Sequence, residues 1–95
     1  MSKQLAVVIK SQADGNQLAS IVASHNVRNI DHGRKVVFKV GETAIFWLYP
    51  SNVHFSQYTA QAYPSTIEYH DAGVRAGFAR YVSVNELAQE FLVLE

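Results

Sequence analysis

The chain has 95 residues, with eight Lys plus Arg against eight Asp plus Glu, so it is formally neutral at pH 7 with its four His uncharged. That length holds one hydrophobic core within a radius of gyration of roughly 12 to 13 Å, which argues for a single domain over residues 1–95 and against a deep interdomain cleft. Apolar residues at 48% and charged residues at 17% exclude disorder, neutrality disfavours nucleic-acid binding by bulk charge, and the absence of Cys removes disulfides, thiolate nucleophiles and Cys-built zinc sites.

In chain order, Leu5 to Lys10 is a β-branched apolar run closed by the polar cluster 11–16, which predicts a first strand and a loop. Its five apolar residues are too few for a signal peptide, which needs about 7 to 15. The longest apolar run, Ile45 to Tyr49, is far short of the roughly 20 residues that cross a bilayer. The expectation is a cytoplasmic protein without membrane contact. Leu18, Ile21, Val22 and His25 recur at helical spacing, predicting a helix over 17–25 capped by Asp14 or Asn16.

Strands follow over Val27 to Ile30, Lys35 to Val40 and Thr43 to Tyr49, separated by turns at Gly33 and Gly41. Both faces of Ala44 to Tyr49 are apolar, so that strand belongs at the sheet centre or under cover on both sides. Residues 51–63 read preferentially as a helix, with Ser51 as cap and Phe55, Tyr58, Thr59 and Ala62 on one face; the alternation of Val53, Phe55 and Gln57 is the competing strand reading. Pro64 ends the element either way. Thr66 to His70 and Phe78 to Ser83 read as strands around a glycine-containing loop, 71–77. Ser83 and Glu86 stand at capping-box spacing before a last helix from Val84, whose stripe is Val84, Leu87, Ala88 and Phe91. The sum is an α+β fold: a small antiparallel sheet of about five to six strands with two to three short helices packed on one face.

Few motifs carry chemistry. His25, His32, His54 and His70 lack the close spacing of helical metal ligands, no Ser lies in a nucleophile elbow, and no glycine spacing matches a phosphate loop, so neither a catalytic set, a metal nor a cofactor is assigned. Tyr69, His70, Arg75 and Arg80 flank the 71–77 loop and form a candidate anion or ligand site, the basis of an alternative reading as a small-ligand or nucleotide binder or enzyme. Arg28, Arg34, Lys35 and Lys39 give residues 28–39 a net charge of +3, a candidate basic patch for nucleic acid and a second alternative.

The most distinctive feature is a gap in charge. From Thr43 to Ile67, 25 consecutive residues contain no Lys, Arg, Asp or Glu, yet they hold six of the eleven aromatic residues of types Phe, Trp and Tyr. Depletion of charge with enrichment of Tyr marks the cores of protein interfaces. The preferred expectation is a non-enzymatic interaction module, accessory or inhibitory by analogy with small phage proteins. It binds another protein or itself, as a homo-oligomer, through residues 51–63 with His54, Phe55, Tyr58 and Tyr63 as anchors.

Overall fold

In the computed structural model, residues 4–25, 27–29, 37–49 and 51–94 are described, the side chains of 29 and 94 excepted. The order is β1 (Gln4–Val8), α1 (Gln12–His25), β2 (Arg28–Asn29), β3 (Glu42–Tyr49), β4 (Asn52–Thr59), α2 (Pro64–Ala76), β5 (Ala79–Tyr81) and α3 (Val84–Leu94). The sheet runs β2-β4-β3-β1-β5. Only four of its strands among the described residues have three or more residues, fewer than the five to six expected, and the two-residue β2 extends one edge. Nor is the sheet wholly antiparallel: β1 with β3 and β3 with β4 are, whereas β1 with β5 and β2 with β4 run parallel. The Cα radius of gyration is 12.3 Å, and no helix among the described residues is long and apolar enough to cross a membrane.

Strand alternation assigns the two faces. Leu5 and Val7, Ala44, Phe46 and Leu48, and Phe55 point to one side, where they meet Leu18 and Val22 of α1 and Val84, Leu87 and Phe91 of α3 in the main core. The other side carries Ala6, Ile45, Trp47, His54, Ser56 and Tyr81, and receives α2 through His70 and Gly73. The helices therefore occupy both faces, not the single face expected. Chain direction explains it. The crossover β1-α1-β2 moves one way across the sheet and β4-α2-β5 the other, and parallel crossovers of one hand that travel in opposite directions put their helices on opposite faces.

Three element readings are overturned. Residues 52–59 form a strand rather than a helix, because the full length of β4 pairs with β3, Phe46 facing Phe55 and Trp47 facing His54. Thr66 to His70 is helical rather than extended. Pro64 sits in the first turn of α2, where its missing N–H costs nothing, and residues 71–76, read as a loop, complete that helix. The strand expected over 35–40 is absent from 37–40, and 35–36 lie outside the described residues. Other readings hold. β3 is the middle strand, and α3 carries the expected capping box, with Glu86 N–H donating to Ser83 Oγ at 3.1 Å and Ser83 N–H to Glu86 Oε1 at 3.4 Å. Helix α1 begins five residues earlier than expected because Ser11, not Asp14 or Asn16, supplies the cap, accepting from Asp14 N–H at 3.2 Å.

Gly15 is buried in α1 against the chain at Phe38. A Cβ there would stand 2.7 Å from the Phe38 carbonyl oxygen, a backbone atom that cannot swing away. In an exposed helix Gly→Ala gains about 1 kcal/mol; Gly15→Ala is instead expected to lose about 1–3 kcal/mol, since the backbone at Phe38 must move. Urea unfolding, read at constant slope, checks the sign.

Candidate functional site

The β3–β4 hairpin gathers most of the uncharged segment into one place. On the α2 face, Trp47 and His54 stack at the register pair that joins them, centroids 5.0 Å apart and planes 13° from parallel. The His54 Nδ1–H donates to the Asn52 carbonyl at 3.1 Å, which fixes the ring. Beside them Tyr49 is 48% exposed, and Arg28, aligned with His54 across the parallel β2–β4 pairing, donates to Asn52 Oδ1 at 2.9 Å. At the other end of β4, Tyr58 meets Tyr63 edge to face at 5.8 Å, and Tyr63 is 55% exposed just before α2. Two aromatic pairs thus mark the two ends of one strand.

Of the four anchors expected from the sequence, His54 and Tyr58 are half-buried and Tyr63 is exposed, but Phe55 is not on the surface. Its ring lies in the core between Phe38 at 5.6 Å and Phe46 at 5.3 Å, because alternation turns it away from His54 and Tyr58. Phe55 is removed from the anchor set. Trp47 and Tyr49 join this surface although their strand is central as expected, because α2 crosses toward β5 and leaves them at least partly open.

Tyr69, His70, Arg75 and Arg80 do not converge. Tyr69 and Arg75 are exposed on α2, whereas Arg80 points to the α3 face and pairs with Glu90 at 2.7 Å. His70 is 1% exposed beneath α2. Its Nε2–H donates to the Arg80 carbonyl at 3.2 Å, and Nδ1 accepts from the Gln4 amide at 2.8 Å, so the ring is neutral with its proton on Nε2. Burial lowers its pKa below 6.5, against smaller opposing pulls from that carbonyl and from Asp71. Next to it Tyr81 packs edge on at 4.8 Å and donates to Asp71 at 2.5 Å; burial first, then the Asp71 carboxylate, push its pKa up to about 12. This cluster is a satisfied buttress joining α2 to the sheet. Both ring nitrogens of His70 and the Tyr81 hydroxyl have partners inside the protein.

The basic patch is described only at Arg28 and Lys39. Arg28 sits beside Asn52, Lys39 is exposed where its own N–H donates to Glu42 at 2.7 Å, and Arg34 and Lys35 lie outside the described residues. Among the described residues no three of His, Cys, Asp or Glu gather as metal ligands.

A cavity of about 300 Å³ lies elsewhere, at the ends of the parallel strands β1 and β5 where α1 and α3 begin. Val7, Val82 and Val84 form its apolar wall, and Lys10, Asp14 and Glu86 stand around it. Its lining comes from two strand-to-helix junctions that are about 70 residues apart in sequence; the Ser83 cap marks the second in the sequence, while the Ser11 cap of the first is seen only in the fold. Against protein-family models, curated proteins and solved structures alike, the chain shows no significant similarity.

Proposed function

We propose that the chain is a non-enzymatic interaction module that binds another protein through the aromatic α2-side surface of the β3–β4 hairpin, with Tyr49, His54, Tyr58 and Tyr63 as its contact residues. One observation carries the reading: 25 residues without an ionic group fold into a single hairpin and the start of α2, and the exposed ring surface of Tyr49 and Tyr63 belongs to that stretch. A solvated hairpin ordinarily carries charge on its open side. Trp, Tyr and Arg are the residue types that dominate interface energetics, and Trp47, Tyr49 and Arg28 stand together here.

The test compares tagged wild type with the double variant Tyr49→Ser/Tyr63→Ser in extracts of the native host. The expected result is a stoichiometric partner retained by wild type and lost by the variant, with unfolding free energy within about 1 kcal/mol because both side chains are half-exposed. Light scattering on the purified protein separates self-association from a foreign partner. Identical retention by both proteins, or a monomeric wild type that retains nothing, overturns the reading.

A further inference from the structure

We propose that the cavity between the ends of β1 and β5 binds a free α-amino acid with an apolar side chain. The inference does not rest on the hairpin surface: none of Tyr49, His54, Tyr58 and Tyr63 lines the cavity. Small-molecule sites in sheets with parallel strands form in the crevice beyond the carboxyl ends of those strands. Here β1 and β5 are such a pair, each followed at once by a helix. A volume of about 300 Å³ is at the small end for ligand sites, which limits the occupant to one residue-sized molecule.

The lining then selects the chemistry. Val7, Val82 and Val84, each 9% exposed or less, form a fixed floor, and Val8 and Tyr81, 40% and 41% exposed, offer the apolar surface on which an apolar side chain can rest. Around that floor stand charges of both signs. Lys10 and Asp14 have no ion-pair partner among the described residues, and Glu86 contacts only the backbone of Ser83 through a long hydrogen bond at 3.4 Å. Two carboxylates against one ammonium give the lining a net negative charge, which repels phosphates and nucleotides. An ammonium group is drawn to Asp14 and Glu86, and a carboxylate to Lys10. One molecule that carries both, together with an aliphatic group for the valines, is an amino acid such as leucine.

Isothermal titration and amide NMR shifts with leucine, N-acetyl-leucine and leucinamide test this. The acetyl form lacks the ammonium and the amide form lacks the carboxylate. Saturable binding of leucine is expected, with amide shifts at residues 7–14 and 81–86 and at least about tenfold weaker binding of each capped form. Lys10→Gln should erase the preference for leucine over leucinamide, and Asp14→Asn the preference for leucine over N-acetyl-leucine. Lys10 is exposed and Asp14 is half-buried, so at least the Lys10 variant keeps its fold. Absence of saturable shifts up to about 10 mM leucine, or equal binding of leucine and its capped forms, overturns the proposal.

Discussion

Phe55→Ala is expected to remove about 3–5 kcal/mol of stability, the cost of deleting a fully buried aromatic ring and leaving a cavity. The ring is 0% exposed between Phe38 and Phe46, and Phe46 in turn meets Phe91 of α3 edge to face at 6.2 Å. The loss therefore reaches from β4 through the sheet to the last helix. Domains of this size hold about 5–15 kcal/mol in total, so the alanine variant sits near the edge of folding, and Phe55→Leu, expected to cost about 1–2 kcal/mol, gives a second measurable point. Tyr63→Ala, by contrast, should change stability by no more than about 1 kcal/mol. Urea unfolding of the three variants checks the ranking, and a Tyr63 effect larger than that of Phe55→Leu would contradict the burial of Phe55.

The second large effect concerns acid. His70 is neutral and buried, and its pKa is lowered when folded, so the unfolded chain takes up the proton more readily. Its contribution is complete above the unfolded value of 6.5 and declines as pH falls below it. Unfolding free energy measured at about pH 5 should fall below that at about pH 7.5. In His70→Gln, whose amide can donate to the Arg80 carbonyl and accept from Gln4 without titrating, that difference should shrink. His70→Ala should cost more at every pH. It strands the Gln4 amide and the Arg80 carbonyl under α2, at about 1–3 kcal/mol for each group left unsatisfied. A pH response in His70→Gln equal to that of wild type would assign the acid sensitivity to other groups.

Local signals were readable in the sequence where local physics decides the outcome. The Ser83 and Glu86 pair announced α3 because a capping box is complete within four residues. β3 announced its central place because both its faces are apolar. β4 and α2 were exchanged for a different reason. Phe55, Tyr58 and Ala62 fit a helical stripe as well as Val53, Phe55 and Gln57 fit a strand, and the pairing with β3 that settles the matter is a tertiary contact. In α2, Thr66, Ile67 and Tyr69 are strand formers and Gly73 is a poor helix residue. Gly73 is there for packing, since a Cβ would stand 2.8 Å from the Phe78 ring and 3.1 Å from Ala79. The anchor set loses Phe55 for the same cause: period 2 puts His54 and Tyr58 on one side and Phe55 on the other. The cavity was invisible because its walls meet only after the first and last strands pair.

That pairing also governs when the molecule can be finished. Strand β1, residues 4–8, is seated between a neighbour 35 or more residues downstream and another about 75 downstream. A nascent chain therefore holds β1 with one edge open until residue 81 has emerged, and such distant closures slow the search for the native arrangement. Synthesis truncated before residue 79 should yield a species that clumps rather than a smaller working version.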